Sequence, residues 1–222
     1  MLPSTVPWHV LGEADTFGRM LLSLARTPPH IVANFLQYAE KKQPAEAERL
    51  LVGLLADPSF AAVLARASPG HGATFLQYAE KKRPAEADRL LVGLLADPSF
   101  AAVLARAPPG DGATFLQYAE KRRPAEAETL LANWWVGFQA IPHPKGHEIA
   151  GCGPILLLAH ACAPCVADEM VAWLNQLGEH FIREIRPVHP PMRWGLVRAL
   201  KETDRWLDPQ LFQALVGQRP AR

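Results

Sequence analysis

Apolar positions recur with helical spacing along this chain, and the whole pattern returns after forty residues. One apolar stripe runs at i, i+1, i+4 and i+5, and the next runs at i, i+3, i+4 and i+7. Both spacings are typical of one face of an amphipathic α-helix. In one copy the two stripes are Leu90, Leu91, Leu94 and Leu95, then Phe100, Val103, Leu104 and Ala107. The pattern predicts an all-α protein.

An internal repeat accounts for the periodicity. The segment Phe35–Thr74 recurs as Phe75–Thr114 with four substitutions in forty positions. A third copy opens at Phe115 and diverges after Leu131, and a diverged partial copy precedes the array from about Thr16. Terminal copies commonly depart from the consensus because one side of them faces water. The four substitutions are Gln43/Arg83, Glu48/Asp88, Ser68/Pro108 and His71/Asp111.

Prolines and capping residues divide each copy into three predicted helices. Thr74 and Gln77 have the spacing of a capping box, which predicts that the first helix begins at Thr74. That helix should end just before Pro84, which suits the first turn of the second helix. Asp97 is expected to cap the third helix. The Pro- and Gly-rich residues 108–112 are expected to form the turn into the next copy.

This period and helix pattern, across residues 16–133, resembles the HEAT and armadillo class of α-helical repeats. The resemblance implies an α-solenoid of about three 40-residue, three-helix repeats. Such stacks use their curved surface for binding, so it also implies a scaffold that recognises another molecule.

The flanks of the array have a different composition. Residues 1–15 are expected to form an irregular lead-in, and residues 134–222 a helical C-terminal region that caps the array or continues it with diverged repeats. Within that region the pattern predicts a loop over 141–153, and Trp134 and its neighbours are expected to close the open end of the array. The predicted helices start at Pro154, at Pro164 (running to about residue 186), at Pro191 (to about Glu202) and at Pro209 (to Val216).

Composition indicates a soluble, cytoplasmic protein. The net charge is +1, and neither half is strongly charged, which disfavours bulk nonspecific binding to nucleic acid. Three cysteines do not make a disulfide framework, and the N-terminus lacks the pattern of a signal peptide. The apolar stretch 155–174 contains Pro164, Asp168 and Glu169, so two core helices are expected there, and no membrane span.

The first predicted helix of each copy carries the candidate binding residues. A basic cluster ends each of these helices, and stacking would align the clusters into a stripe that suits phosphates or an acidic peptide. The alternative is that cations merely favour helix C-termini. A tyrosine also recurs there, as a recognition anchor or a packing residue. The candidates are Tyr38, Lys41, Lys42, Tyr78, Lys81, Lys82, Arg83, Tyr118, Lys121, Arg122 and Arg123.

A His/Cys cluster beyond the array has the spacing of metal ligands. His143 and His147 form H-x3-H, and Cys162 and Cys165 form C-x2-C, which are spacings found in structural zinc sites. Cys152 and His160 are further candidate ligands. The alternative is that the cysteines are core residues and the histidines are exposed. No other cofactor is indicated.

Three functions remain open on the sequence. The favoured one is a noncatalytic scaffold for a protein or peptide partner; the others are a nucleic-acid-binding repeat protein and a metalloprotein or enzyme centred on residues 143–165. His180 near Glu179 and Glu184, and His147 beside Glu148, are the weak candidates for acid–base chemistry. Near-identical copies also favour homo-oligomers or domain swapping.

Overall fold

The computed structural model describes residues 14–217 of the chain. All regular secondary structure within this range is α-helical, which confirms the predicted fold class. The helices are α1 (Ala14–Leu24), α2 (Pro29–Lys42), α3 (Pro44–Ala56), α4 (Pro58–Arg66), α5 (Pro69–Lys82), α6 (Pro84–Ala96), α7 (Pro98–Ala105), α8 (Pro109–Arg122), α9 (Pro124–Gln139), α10 (Gly146–Cys162), α11 (Pro164–Gln176), α12 (Glu179–Ile185), α13 (Pro190–Glu202) and α14 (Pro209–Val216).

Four helix junctions at intervals of forty residues share one backbone geometry. Gln43, Arg83, Arg123 and Ala163 each stand alone between two helices, with φ from −145° to −139° and ψ from 69° to 79°. A proline follows each of them, and the residue before a proline disfavours helical dihedrals. The predicted helix end before Pro84 is confirmed, and the forty-residue spacing extends beyond the predicted end of the array.

Aspartates begin the third helix of each copy, as predicted. The Oδ1 atom of Asp57 accepts a hydrogen bond from the backbone N–H of Ser59 at 2.7 Å, and Asp97 accepts the equivalent bond from Ser99 at 2.7 Å. The bond from Ser99 holds the pKa of Asp97 below its ordinary value. These caps satisfy backbone donors that a helix start leaves without partners.

The first helix of each copy begins earlier than predicted. Helices α5 and α8 start at Pro69 and Pro109, so the turn expected over 108–112 is wrong and Thr74 lies inside α5. There its Oγ1 donates to the Gly70 carbonyl at 2.9 Å. The physical reason is that a proline fits the first helical position, whose N–H would have no acceptor in the helix.

The described residues up to Phe100 form one compact unit. In this unit equivalent helices of successive copies pack side by side, α2 against α5 and α3 against α6. Helix α1 packs on α3 as α4 packs on α6. The rings of Phe60 and Phe75 meet edge-on in its core, with centroids 4.7 Å apart. Other fully buried core side chains are Val32, Leu36, Leu50, Leu64, Leu76 and Leu91.

The described residues from Ala101 onward form a second compact unit. Here α10 packs beside α8, α11 beside α9, and α13 beside α10. Trp134 and Trp135 of α9 are fully buried, and Trp135 meets Trp173 of α11 edge-on, with ring centroids 5.5 Å apart. The indole N–H of Trp135 donates to Glu169 at 3.0 Å. These rings therefore have a further helix packed on them and do not close the end of an array.

Two C-terminal helices differ from the prediction. Helix α10 starts at Gly146, so the loop expected over 141–153 ends early and Pro154 lies within the helix. The carboxylate of Glu148 accepts a hydrogen bond from the backbone N–H of Lys145 at 2.7 Å, which stabilises this start. The helix expected over 164–186 is interrupted at Gly178, whose φ of +50° favours glycine.

The remaining boundaries agree more closely. Helix α13 starts at Pro190, one residue before the predicted start, and α14 has the predicted bounds. The lead-in expected over 1–15 falls largely outside the described residues, which begin with α1 at Ala14. Residues 155–174 are divided at Ala163 between two helices, as expected. Within residues 14–217 no helix has both the length and the apolar character needed to cross a bilayer.

Candidate functional site

The three repeated tyrosines do not share one environment. Tyr38 is half exposed, whereas Tyr78 and Tyr118 are each only 6% exposed. The hydroxyl of Tyr78 donates to Oε2 of Glu40 at 3.5 Å. The prediction that the tyrosines are surface recognition anchors is therefore wrong for Tyr78 and Tyr118, because each ring is buried in the packing of its unit.

Part of the predicted basic stripe is engaged in ion pairs with the preceding copy. The ammonium group of Lys82 pairs with Glu40, and the guanidinium of Arg83 pairs with Glu48. Such pairs neutralise the charge that a phosphate would need. The other members of the stripe comprise five exposed side chains and one half-buried one. The exposed ones are Lys41, Lys42, Lys81, Lys121 and Arg122, and the half-buried one is Arg123.

The structure does not bring the four predicted zinc ligands together. His147 and Cys162 lie at opposite ends of α10, and fifteen residues of helix at about 1.5 Å each separate them by about 22 Å. The ring of His143 lies instead 5.6 Å from that of His180, between centroids. Within the described residues, no three His, Cys, Asp or Glu side chains converge on a point that would hold a metal.

Burial disfavours the reactive form of two of the three thiols, those of Cys152 and Cys162. All three are unpaired; Cys152 is buried, Cys162 is half-buried and Cys165 is exposed. Burial raises the pKa of Cys152, with a smaller contribution from Glu148. Burial, and then the charges of two nearby glutamates, raises the pKa of Cys162. A raised pKa disfavours the thiolate, which is the reactive and ligating form.

The histidines considered for catalysis or metal binding make structural contacts. The Nε2 atom of His180 lies 2.9 Å from the Pro144 carbonyl, which can only accept, so Nε2 carries the proton. Its Nδ1 lies 2.8 Å from the guanidinium of Arg183. His160, in turn, lies 2.8 Å from Arg205. His180 thus joins the loop before α10 to α12.

An apolar groove in the first unit is one feature that sequence reasoning missed. It lies between α3, α4 and α6 and has a volume of about 560 Å³. We call it the α6 groove. Charged side chains of both signs lie among its apolar lining residues. Its lining comprises Val52, Leu55, Ala56, Pro58, Ala61, Ala62, Glu86, Arg89, Leu90, Gly93, Leu94 and Asp97.

A difference between two equivalent packing positions creates this groove. Where α1 packs on α3, a Cβ atom added to Gly53 would lie 2.9 Å from Cδ1 of Leu21. One copy later Ala61 stands where Leu21 stands, and a Cβ atom added to Gly93 would meet nothing within 4 Å. Leucine fills the first junction, and alanine leaves the second one open. The forty-residue alignment of Leu21 with Ala61 was the sequence signal for this groove.

A second cavity of the first unit contains paired histidines. It has a volume of about 630 Å³ and lies where α2, α4 and α5 meet. The imidazole rings of His30 and His71 pack there with centroids 3.7 Å apart and planes inclined at 35°. We call it the His30–His71 cavity. Ala62 lines both this cavity and the α6 groove.

Comparison with known proteins adds no family to these features: no family model, no curated protein and no solved structure matches the chain.

Proposed function

We propose that this protein is a noncatalytic binding scaffold that holds an apolar segment of a partner protein in the α6 groove. The groove carries the proposal, because it is an open and mainly apolar surface of the first unit. Apolar side chains with a few polar groups among them are typical of recognition sites. Val52 is 40% exposed there, and burying it under a partner would be favourable.

The proposal includes an α-solenoid as the architecture that presents this groove. Side-by-side packing of α2 with α5 and of α3 with α6 supports it, as does packing of α10 with α8 and of α11 with α9. The junction at Ala163 matches the three before it. Repeat stacking of this kind is used by scaffold proteins of the HEAT and armadillo class, which the chain resembles.

The binding surface proposed here differs from the one expected on the first helix of each copy. Tyr78, Lys82 and Arg83 contact the preceding copy and serve its packing. The second and third helices carry the open groove instead. The partner is therefore selected mainly by apolar contact and not by a stripe of positive charge.

A variant that fills the groove provides the test. Ala61→Leu introduces at this junction the leucine that the first junction has at position 21. Ala45→Leu makes the same change at an exposed position on α3 outside the groove and is the control. Each immobilised full-length chain is incubated with cell extract, and the retained proteins are quantified by mass spectrometry.

We expect proteins retained by the wild type and by Ala45→Leu to be lost with Ala61→Leu. Gly93→Gln is a second variant, because its side chain enters the groove while glutamine favours a helix by about 0.5–1 kcal/mol over glycine. Loss of binding with an unchanged or higher unfolding midpoint separates a blocked groove from a misfolded chain. Retention of every partner by both variants would refute the proposal.

The same assay distinguishes the alternative functions. Nucleic acid that copurifies with all variants and dissociates at high salt would favour the nucleic-acid-binding alternative. Stoichiometric zinc in the purified protein would favour the metalloprotein alternative. We also place the protein in the cytoplasm, which the three unpaired cysteines support. Light scattering over a range of concentrations tests the expected homo-oligomer or domain swap.

A further inference from the structure

The His30–His71 cavity is rich in hydrogen-bond donors and positive charge. Arg26 and Arg66 line it together with the two histidines, and Ser59 and Ser68 add hydroxyl groups. None of its described lining residues is acidic. With neutral histidines the lining carries two positive charges, and protonation of both histidines would bring this to four. Such a lining favours an anion over a cation or a neutral ligand.

The two guanidinium groups are not held by direct side-chain contacts. In the described part of the chain, no ion pair or side-chain hydrogen bond joins Arg26 or Arg66 to another residue. Asp97 is an acidic group near Arg66: after the hydrogen bond from Ser99, the charge of Arg66 contributes to the lowered pKa of that carboxyl. They come from different segments, Arg26 from the segment after α1 and Arg66 from the end of α4. Arginine presents several donors in a planar fork, which suits tetrahedral oxyanions.

The histidine pair has unmet hydrogen-bonding capacity. The Nδ1 atom of His30 is buried and has no partner within the described residues. A buried polar atom without a hydrogen-bond partner costs free energy. When Nδ1 carries a proton, it can donate a hydrogen bond to a ligand oxygen, which removes this cost. Packing of the two rings at 3.7 Å disfavours a second positive charge unless an anion offsets it.

The copies differ from one another at this cavity. Two of the four substitutions that separate the near-identical copies fall in its lining, Ser68/Pro108 and His71/Asp111. His30 likewise aligns with Gly70 and Gly110. One period later both histidines are absent, because Gly70 stands in place of His30 and the carboxylate of Asp111 in place of His71. The donor set is therefore not a feature of the repeat itself but of this single position in the array.

We propose that the His30–His71 cavity binds a dianionic tetrahedral oxyanion, such as a phosphate group, and that binding draws protons onto the two histidines. Arg26 and Arg66 supply permanent charge, and the hydroxyl of Ser59 donates to a further oxygen. Anion binding in the His30–His71 cavity does not require a partner in the α6 groove, so either site can be occupied without the other.

Sulfate is the probe, because its charge stays the same across the range in which histidine titrates. Calorimetric titration of the full chain with sodium sulfate, at constant ionic strength, is performed at about pH 6 and about pH 7.5. Protonated histidines make charge-assisted bonds, so we expect binding about tenfold tighter at the lower pH. NMR titration of the imidazole protons should show the pKa of His30 rising when sulfate is added.

His71→Asp places in this cavity the residue that the second copy has at the equivalent position, Asp111, and is expected to abolish sulfate binding. His71 is exposed and lies in the first turn of α5, where aspartate is favourable, so the variant is expected to fold. His147→Asp makes the same change in the first turn of α10 and should bind like the wild type. Binding that is absent, insensitive to pH or unchanged in His71→Asp would overturn the proposal.

Two phosphate probes then identify the source of the anion. Inorganic phosphate and a peptide with one phosphoserine are titrated at about pH 7 beside the unphosphorylated peptide. Tighter binding of the phosphopeptide assigns the site to a phosphorylated partner, and equal or tighter binding of inorganic phosphate assigns it to a free anion. Failure of both probes in a chain that binds sulfate would overturn the assignment to phosphate.

Discussion

The hydroxyl of Tyr78 lies 3.5 Å from Oε2 of Glu40, which occupies the equivalent helix one copy earlier. Burial, followed by the charge of Glu40 and the hydrogen bond to it, raises the pKa of Tyr78 to about 12. The tyrosine therefore stays neutral and donates a hydrogen bond to a carboxylate that also pairs with Lys82. Glu40 thus joins the first copy to the second, and Tyr78 belongs to the packing between copies.

Truncation of the repeated tyrosines should have unequal effects on stability. Tyr78→Ala removes a buried aromatic side chain and should lower the free energy of unfolding by about 3–5 kcal/mol. Tyr38→Ala truncates the equivalent side chain of the first copy, which is half exposed, and should cost less than about 1 kcal/mol. Urea denaturation of the two variants measures the difference. Equal losses would show that Tyr78 is not a packing residue.

Local features of this fold were predictable from sequence, and contacts between copies were not. The cap at Asp97 and the helix end before Pro84 depend on residues within one turn, so their chemistry is visible in the sequence. The burial of Tyr78 depends on Glu40 and on how α5 lies against α2, which no local pattern contains. The start of α5 was missed because Thr74 and Gln77 imitate a capping box inside a helix.

The candidate sites follow the same division. The apparent zinc cluster has suitable sequence spacing, but a continuous α10 holds His147 and Cys162 at its two ends. The α6 groove exists because Ala61 stands opposite Gly93, whereas the equivalent position one copy earlier is Leu21, opposite Gly53. This is a difference between copies and not a motif. Comparing each copy with its neighbours was therefore more informative about sites than searching for known patterns.

Two glycines of the second unit should respond oppositely to alanine. A Cβ atom added to Gly153 of α10 would lie 2.7 Å from the backbone oxygen of Gly195 in α13. Gly153→Ala should therefore force these two helices apart and cost about 1–3 kcal/mol. A Cβ atom added to Gly195 meets nothing within 4 Å, so Gly195→Ala should stabilise by up to about 1 kcal/mol. Thermal unfolding of both variants provides the measurement, and stabilisation by Gly153→Ala would contradict the packing.

The three thiols should react with a maleimide in a fixed order at about pH 7.5. Cys165 is exposed and should react first, and Cys162, half-buried with a raised pKa, should follow more slowly. Cys152 is buried and its pKa is raised, so it should react only when the chain unfolds. Mass spectrometry of quenched samples measures the order, with urea-denatured protein as the control. Protection of Cys162 and Cys165 that a chelator removes would instead support the zinc hypothesis.

The first unit should lose stability in mild acid through His30. Burial, and secondarily the neighbouring His71, lowers the pKa of His30 from its ordinary value of 6.5. The unfolded chain therefore binds this proton more tightly than the folded chain, and acid favours unfolding. The stabilisation is fully present above about pH 6.5 and is lost as the pH falls through the lower pKa of the folded state.

Urea midpoints between about pH 7.5 and pH 5 measure this loss. His30→Gln retains a polar side chain without titrating, so its midpoint should fall less over this range than that of the wild type. His189→Gln, at an exposed position beside α13, should behave as the wild type. Added sulfate should remove the difference in pH dependence between the midpoints of wild type and His30→Gln, because a bound anion offsets the positive charge of the added proton. A wild-type midpoint with the same pH dependence as His30→Gln would show that the histidine pair does not couple protonation to folding.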